Sequence, residues 1–426
     1  MDTAIFEDWE SQIRGYCRAY PTVFKTAKDS RQTDENGKSY IDFFAGAGVL
    51  NFGHNNDRMT KAVVDYIQSD GVIHSLDMYT VAKRAFIETF VETILKPRGY
   101  NHKLQFMGPT GTNAVEAALK IARRATGRQT IFAFTHGFHG MTLGALACTA
   151  NDYFRNASGV PLNHVHRIPN ERCGSCPQFD EDKPCCSLEM VRDQILDPSS
   201  GIDAPAAFIV ESIQAEGGVN IASEKWLKEV QQLAQDVGAL FIIDDIQAGC
   251  GRTGSYFSFD GMGLDPDVVT LAKGLGGLGT PIAMNMVKPE HDKHWLPGEH
   301  TGTFRGQNIS FIAGREGLKY FEDDVLMDDV KRKGKIMRDM LDEISTTIND
   351  SSVVVRGKGM MQALDVEDGA KAKEVAKLCF ENGLLIGPCG TKGRVLKLIP
   401  PLTISDEDLK EGLSIFKEQT LKVMKG

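Results

Sequence analysis

The chain has 426 residues, of which 25% are charged and 42% hydrophobic, as expected for a folded globular protein with a large buried core. Its 48 basic and 57 acidic residues give a net charge of −9, which argues against a nucleic-acid or anionic-membrane partner. The N-terminus lacks the basic and apolar regions of a secretory signal, and no apolar run reaches the roughly 18 residues of a transmembrane helix. We therefore expect a cytoplasmic enzyme.

Three regions are predicted along the chain. Residues 1–55 are expected to form an arm that packs on a C-terminal lobe. Residues 56–308 alternate short apolar runs with amphipathic helices, which predicts an α/β domain with a mostly parallel central sheet. Residues 309–426 contain an alternating segment followed by helical patterns, which predicts a smaller α+β domain.

Short apolar runs predict the strands of the large domain, and amphipathic segments separate them. The best-marked helix has Ser223 as its N-cap and Gly238 as its C-terminal stop. The predicted strands are Leu104–Met107, Ile131–Phe134, Ala207–Glu211, Leu240–Asp244, Val268–Ala272 and Ile282–Val287.

Unusual residues follow these strands, and ligands of open α/β sheets bind at the carboxyl ends of strands. Gly111 and Thr112 open a helix after the first strand, where free N–H groups favour an anion. The alternative is simple helix capping by Thr112 or Asn113. Phe138 and His139 follow the second strand, although most aromatic residues in such a place belong to the core.

A cysteine cluster, "CGSCPQFDEDKPCC", lies between the second and third of these strands. Its members Cys173, Cys176, Cys185 and Cys186 are compatible with a structural zinc site. The adjacent pair Cys185 and Cys186 fits one tetrahedral ion poorly, so reduced thiols in a surface insertion are the alternative.

Charged residues end the later strands. Glu211 follows "AFIV", Asp244 and Asp245 end "LFIIDD", and Lys273 follows "VVTLA". Neighbouring strand residues face opposite sides, so one aspartate faces a site while the other takes part in a structural contact. A buried lysine is costly unless it is paired, and a structural ion pair between Lys273 and Asp244 is the alternative to a catalytic role.

A phosphate cradle, an aromatic ring, a carboxylate and a lysine together match the needs of pyridoxal 5′-phosphate (PLP). The aldehyde of PLP requires an amine, here Lys273, that burial keeps nucleophilic. Its ring nitrogen requires a carboxylate to stay protonated, and we assign this role to Asp244.

At these residues the sequence resembles the class III (ω-amino acid) aminotransferases of PLP fold type I. The resemblance runs over essentially the whole chain, from "YIDFFAGAGVLNFGHNN" through "DDIQAGCGRTG" and "LAKGLGG" to "HTGTFRGQN" and "IPPLTI". It implies a Schiff-base lysine at Lys273 and a ring-nitrogen partner at Asp244. It further implies cofactor contacts, through the 3′-oxygen, the ring face and the phosphate, by Gln247, Phe138, His139, Gly111 and Thr112.

The resemblance also implies a homodimer with shared active sites, because Thr303 matches a threonine that reaches the phosphate of the neighbouring subunit's cofactor. For the substrate, Glu211 matches a glutamate that pairs with a carboxylate-binding arginine. This chain has Lys397 at the arginine position, and Arg394 is a possible substitute for it. A lysine binds carboxylate as a point charge, and a solvated edge-strand lysine is the alternative.

Within the class, the sequence most resembles enzymes that move the amino group of L-glutamate to L-aspartate 4-semialdehyde. The products would be L-2,4-diaminobutyrate and 2-oxoglutarate. Other hypotheses remain: transfer to another ω-amine such as ornithine, 4-aminobutyrate or a secondary-metabolite precursor, an aminomutase or racemase of the same fold, or a scaffold without activity. A scaffold has no use for a Schiff-base lysine.

Overall fold

The computed structural model describes residues 3–171 and 186–426. Its strands are β1 (Phe24–Lys28), β2 (Arg31–Asp34), β3 (Ser39–Asp42), β4 (Lys103–Phe106), β5 (Ile131–Phe134), β6 (Val165–Ile168), β7 (Ala207–Val210), β8 (Ile213–Gln214), β9 (Asn220–Ile221), β10 (Leu240–Asp244), β11 (Val268–Leu271), β12 (Met284–Val287), β13 (Val354–Lys358), β14 (Met361–Asp365), β15 (Leu384–Leu385), β16 (Gly387–Cys389) and β17 (Val395–Leu398).

The helices lie between and around these strands. The α-helices are α1 (Ala4–Trp9), α2 (Tyr16–Ala19), α3 (Ala45–Gly48), α4 (Asp57–Gln68), α5 (Val81–Phe90), α6 (Gly111–Thr126), α7 (Leu143–Cys148), α8 (Asp152–Arg155), α9 (Cys186–Leu196), α10 (Glu224–Asp236), α11 (Pro289–Asp292), α12 (Asn308–Leu318), α13 (Val325–Ile348), α14 (Gly369–Glu381) and α15 (Asp406–Lys425). A π-helical turn spans Val91–Leu95, and 3₁₀ turns span Lys96–Arg98, Asn156–Ser158, Lys273–Gly276, Lys319–Phe321 and Thr391–Gly393.

A seven-stranded sheet forms the centre of the large lobe, in the order β4-β12-β11-β10-β7-β5-β6. The pairs from β11 to β6 are parallel, whereas β12 runs antiparallel to both β11 and β4. The α/β fold with a mostly parallel sheet is thus confirmed, and each of the six predicted strands is present. The carboxyl ends of β5, β7, β10 and β11 meet along one edge, which brings their terminal residues together.

The helix predicted between Ser223 and Gly238 is also confirmed. It is α10, and the Ser223 hydroxyl accepts a hydrogen bond from the N–H of Trp226 at 3.1 Å. Its apolar face packs into the core through Trp226, Leu227 and Val230, which are 2% exposed or less. The cap fixes where the helix begins, and the apolar stripe fixes which face it buries.

The smaller lobe has two four-stranded sheets, β13-β14-β17-β16 and β1-β2-β3-β15. In the second sheet, β3 near the N-terminus pairs with β15 near the C-terminus, in the register Ile41 to Leu384. This pairing supports an N-terminal arm on the C-terminal lobe, while the limits 1–55, 56–308 and 309–426 stay a prediction. Helix α12 packs against α4 and α5, so the chain leaves the large lobe only after this helix.

A buried arginine joins the two lobes. The Arg252 side chain is fully buried, and its guanidinium donates to Asn51 Oδ1 at 2.6 Å and to the carbonyl of Met360 at 3.3 Å. It also donates to the carbonyl of Pro400. These acceptors come from the N-terminal arm and from two segments of the C-terminal lobe, whereas Arg252 belongs to the large lobe.

Cys173, Cys176 and Cys185 of the predicted cysteine site lie outside the described residues, and Cys186 enters the description only as the first residue of α9. Among the described residues, no helix is long and apolar enough to cross a membrane.

Candidate active site

The predicted phosphate cradle lies at the N-terminus of α6. Thr110 is the N-cap residue, and its N–H donates to Asn113 Oδ1 at 3.2 Å. The first N–H groups of a helix have no partner within the helix, so those of Gly111 and Thr112 suit an anion. A Cβ atom at Gly111 would lie 2.9 Å from Cδ1 of Ile246, so a larger residue here would require the Ile246 side chain to shift.

A second glycine shapes the same cradle. Gly140 has φ +127°, and a Cβ there would overlap the hydroxyl of Thr112. That hydroxyl lies 2.7 Å from the hydroxyl of Thr142, which donates to Glu116 at 2.5 Å. The loops that follow β4 and β5 are therefore joined by side-chain hydrogen bonds beside the N-terminus of α6.

Phe138 and Glu211 are neighbours at the ends of β5 and β7. The N–H of Phe138 donates to Oε1 of Glu211 at 2.9 Å, and the N–H of Ala215 donates to Oε2 at 3.3 Å. Burial raises the pKa of Glu211 to about 7. Glu211 thus holds two loops in place, and its carboxylate contacts Phe138 rather than Lys397.

Asp244 is anchored on both of its oxygens. Oδ2 lies 2.8 Å from Nδ1 of His139, and Oδ1 accepts from the Thr270 hydroxyl at 3.0 Å and from the N–H of Ile246 at 3.2 Å. The N–H of His139 in turn donates to Thr149 at 2.9 Å. A carboxylate held in this way keeps one orientation, which a ring-nitrogen partner needs.

Asp245 faces the opposite side of β10, as the alternation along a strand predicts. Its side chain is fully buried and accepts hydrogen bonds from the hydroxyl and, at 3.2 Å, from the N–H of Ser258. The Ser258 hydroxyl also contacts that of Ser212. Burial raises the pKa of Asp245 to about 8. The predicted structural role of the second aspartate agrees with these contacts.

Lys273 follows β11 and begins a 3₁₀ turn with φ +51°, a left-handed conformation that a non-glycine residue rarely adopts. Burial lowers the pKa of its amine to about 8, while the charge of Glu216 raises it and that of Lys397 lowers it further. An amine with its pKa lowered in this way is unprotonated more often at neutral pH than an ordinary lysine, and the unprotonated amine is the nucleophile and base.

Lys397, Glu216 and Gln247 form one hydrogen-bonded triangle. The Lys397 ammonium donates to Glu216 Oε1 at 2.6 Å and to Gln247 Oε1 at 2.9 Å. The amide of Gln247 donates to the same Glu216 oxygen at 3.0 Å. Lys397 is 2% exposed and therefore differs from the solvated edge-strand lysine that the sequence left open.

The charges in this triangle stabilise each other. Burial opposes the charge of Lys397, yet Glu216 raises the pKa of that amine above its ordinary value. Burial likewise opposes the charge of Glu216, yet Lys397 and Lys273 lower the pKa of its carboxyl group to about 2. Both groups are therefore charged throughout the neutral range, as an ion pair in which Lys397 is buried and Glu216 is half-buried.

Arg394 lies apart from this triangle. Its guanidinium is 3.1 Å from Oδ2 of Asp365, which also accepts from Arg356 at 2.7 Å. Arg394 and Arg356 line a cavity of about 130 Å³ between the lobes, together with His136. Arg394 is thus paired with Asp365, whereas Lys397 is held by Glu216 and Gln247.

Thr303 is exposed, in a loop beside the one that contains His74. Its carbonyl lies 2.8 Å from Nε2 of His74. Large apolar side chains from both loops are exposed, among them Met78, Tyr79 and Phe304.

Sequence reasoning missed Glu216 as the partner of Lys397 and assigned the pairing to Glu211. Glu211 and Glu216 both lie in the short segment "ESIQAE". The hairpin β8–β9 places Glu216, and not Glu211, against Lys397 on β17. It also missed the carbonyl of Ala47, which accepts from Gln247 at 2.8 Å. No side chain marks that contact in the sequence.

Comparison with known proteins identifies the class. The family model of class III aminotransferases matches residues 16–420. The chain is 44% identical over 417 residues to a diaminobutyrate–2-oxoglutarate transaminase of Oceanobacillus iheyensis, covering 98% of this chain and 96% of the relative. It is 47% identical over 415 residues to a protein of the same name from Nocardia farcinica, covering 97% and 93%.

Solved structures agree with this result. An ornithine aminotransferase from Toxoplasma gondii is 28% identical, covers 99% of this chain and 94% of its own length, and superposes with a TM-score of 0.84. An S-selective transaminase from Arthrobacter, at 22% identity and a TM-score of 0.86, shows the fold alone.

The chain therefore belongs to the class III aminotransferases. The enzyme class, fold type I and PLP as cofactor, all predicted from the sequence, are confirmed. The anchored carboxylate of Asp244, the amine of Lys273 and the glycine-lined cradle fit this cofactor.

Proposed function

We propose that the protein transfers the amino group of L-glutamate to the aldehyde carbon of L-aspartate 4-semialdehyde. The products are L-2,4-diaminobutyrate and 2-oxoglutarate. The observation that carries this proposal is the match, over nearly the whole chain at 44–47% identity, to proteins named for that reaction. Diaminobutyrate made in this way is a precursor for ectoine biosynthesis, in the cytoplasm.

The residues that would hold PLP are those at the strand ends. The N-terminus of α6 would bind its phosphate, Asp244 its ring nitrogen, Phe138 its ring face, Gln247 its 3′-oxygen and Lys273 its aldehyde carbon. When bound, PLP acts as the electron sink that allows an amino group to be exchanged between two carbon skeletons. The amine of Lys273 moves the proton that this exchange requires, since burial lowers its pKa to about 8.

The Glu216–Lys397 pair supports a carboxylate subsite that two different substrates share. Glutamate has two carboxylates, and one of them is on the carbon that carries the reacting amine. An ω-amine has no carboxylate on that carbon. A carboxylate that binds the Lys397 ammonium replaces Glu216, which is half-buried and lies in a connecting loop. When no such carboxylate is present, Glu216 neutralises Lys397 again, so the buried ammonium is never left without a partner.

The homodimer expected from the resemblance is part of the proposal. Thr303 and the neighbouring His74 loop lie on a surface with exposed apolar side chains, of which Met78 is 61% and Phe304 59% exposed. Exposed apolar side chains gathered in two neighbouring loops are compatible with a protein–protein interface. A second copy that covers this surface would bring its Thr303 to the neighbouring active site.

The first experiment is an absorbance spectrum of the purified protein with PLP, before and after addition of L-2,4-diaminobutyrate. The proposal expects the cofactor band to bleach, and 2-oxoglutarate then to restore it. A band that bleaches with glutamate but ignores diaminobutyrate would move the substrate to ornithine, 4-aminobutyrate or another ω-amine. Release of 2-oxoglutarate in equal amount to the product separates a transaminase from an aminomutase.

A further inference from the structure

Gln247 occupies an unusual position in the triangle described above. Its side chain is 8% exposed, and its amide nitrogen donates to the Ala47 carbonyl at 2.8 Å and to Glu216 Oε1 at 3.0 Å. Its amide oxygen accepts from Lys397 at 2.9 Å. The resemblance assigns this same amide to the 3′-oxygen of the cofactor.

The orientation of the amide is fixed by chemistry. An ammonium only donates hydrogen bonds, and a backbone carbonyl only accepts them. If the amide of Gln247 were turned over, its nitrogen would face Lys397 and its oxygen would face Ala47 and Glu216. All three contacts would then become repulsive, so the nitrogen must face Ala47 and Glu216.

Both hydrogens of the amide nitrogen are therefore in use. An amide nitrogen has two hydrogens, so a hydrogen bond to the cofactor requires that one existing bond be released. The Ala47 carbonyl belongs to the backbone of a turn in which residues 45–48 all have positive φ. The Glu216 side chain is 31% exposed, and its bond to Gln247 is the longer of the two. The bond to Glu216 is the one that can yield.

Other ionisable groups surround the triangle and bear on any pH dependence. Lys273 acts on Glu216 from the end of β11, and Tyr16 acts on Lys397 from the N-terminal arm. The thiol of Cys389 acts on Lys397 from β16, and burial raises the pKa of that thiol to about 12. Tyr16 and Cys389 stay neutral at neutral pH, since the pKa of Tyr16 is raised as well.

We propose that Gln247 is a positioning residue that couples the state of the Glu216–Lys397 pair to the 3′-oxygen of the cofactor. While the pair is closed, Glu216 holds one amide hydrogen of Gln247. When a substrate carboxylate takes Lys397 and Glu216 moves away, that hydrogen becomes available to the cofactor. The inference rests on the proposed carboxylate subsite, and it adds a route from substrate identity to cofactor chemistry.

The test is a double-mutant cycle read by absorbance. A hydrogen bond to the ionised 3′-oxygen favours the ionised form, so it lowers the pH midpoint of the absorbance titration of the bound cofactor. We expect Glu216→Ala in the PLP-loaded enzyme to lower this midpoint by about one pH unit, the value of one hydrogen bond to a charged group. In the Gln247→Met background, Glu216→Ala should lower the midpoint by less than about half of that amount.

The cycle separates coupling from simple electrostatics. Loss of the Glu216 charge acts through space in both backgrounds, whereas the hydrogen bond exists in only one of them. Equal shifts in the two backgrounds would overturn the proposal. Gln235→Met, at an exposed position on α10, is the control for the substitution itself.

A second measurement needs no variant and applies if Gln247→Met fails to retain PLP. Glutarate has two carboxylates and no amine, so it can occupy the Lys397 subsite without reacting. We expect saturating glutarate, with saturation judged by a thermal shift, to lower the midpoint in the unmodified holoenzyme. A saturated complex with an unchanged titration would overturn the coupling. A protein that rejects diaminobutyrate but gives this shift would lose only the proposed substrate.

Discussion

The imidazole of His139 and the carboxylate of Asp244 form a buried pair, 2.8 Å apart, with 1% and 4% of their side chains exposed. His139 touches the carboxylate on the oxygen that Thr270 does not hold. The position of Asp244 therefore depends on a residue from a different strand end, and this dependence can be measured.

His139→Asn should weaken PLP binding by about tenfold, a typical effect of losing a hydrogen-bonding residue behind a ligand contact. The physical reason is that Asp244 loses one of its anchors and no longer keeps a single orientation. The measurement is a cofactor titration followed by absorbance. His164→Asn is the control, because His164 is exposed. Equal PLP affinity in both variants would remove His139 from the cofactor site.

Lys397→Ala should raise the KM for glutamate by roughly thirtyfold or more, equivalent to about 2 kcal/mol for truncating one partner of a buried charge pair. Lys397→Arg should recover most of that loss, because it restores a cation at the subsite. Steady-state kinetics with glutamate and L-aspartate 4-semialdehyde provide the values. Lys371→Ala, at an exposed position, serves as control. An unchanged KM in the alanine variant would exclude Lys397 from carboxylate binding.

Asp245→Asn should alter the pH dependence of stability. The folded-state pKa of Asp245 is raised to about 8, so the folded protein retains a proton that the unfolded chain releases near pH 4. The unmodified protein therefore loses stability as pH rises from about 4 to about 8, whereas an asparagine does not titrate. The Tm of the variant minus that of the unmodified protein should rise over this range.

This comparison requires thermal melts of both proteins at several pH values between 4 and 9. Asp193→Asn controls for loss of a carboxylate, because Asp193 is exposed on α9. A Tm difference that stays constant with pH would mean that Asp245 is already ionised in the folded protein at acidic pH.

A heterodimer of two inactive variants tests the shared active site. One subunit carries Lys273→Ala and the other Thr303→Asp, which would repel the cofactor phosphate. If Thr303 serves the neighbouring subunit, one of the two sites in the heterodimer is intact, and about half of the normal activity returns. Two affinity tags allow the heterodimer to be purified and assayed. No gain over the two parent variants would place Thr303 in its own subunit's site.

Charged residues at the ends of apolar strands were predictable because the sequence shows both the apolar run and the charged residue that ends it. Asp244 and Lys273 each end a run of buried residues, and the cost of burying a charge makes such positions conspicuous. Strand β6 was not predicted. Its sequence "VHRI" contains His166 and Arg167, so it lacks the apolar run that predicts a buried strand.

The partner of Lys397 was not predictable for a different reason. Glu211 and Glu216 are the same residue type, five positions apart, and both follow β7. Their separation depends on the tight hairpin that β8 and β9 form, and on Gly217 and Gly218 at its turn. Long-range geometry of this kind is set by the packing of the two lobes, which sequence periodicity does not record.

The guanidinium of Arg252 has a consequence for how the protein unfolds. Its acceptors belong to three segments, around Asn51, Met360 and Pro400, and the arginine itself stands in the large lobe. If either lobe opened alone, a buried cation would lose its partners, at a free-energy cost of several kcal/mol. We therefore expect the two lobes to melt as one cooperative unit, which would remove the cleft that holds the candidate active site in the same transition.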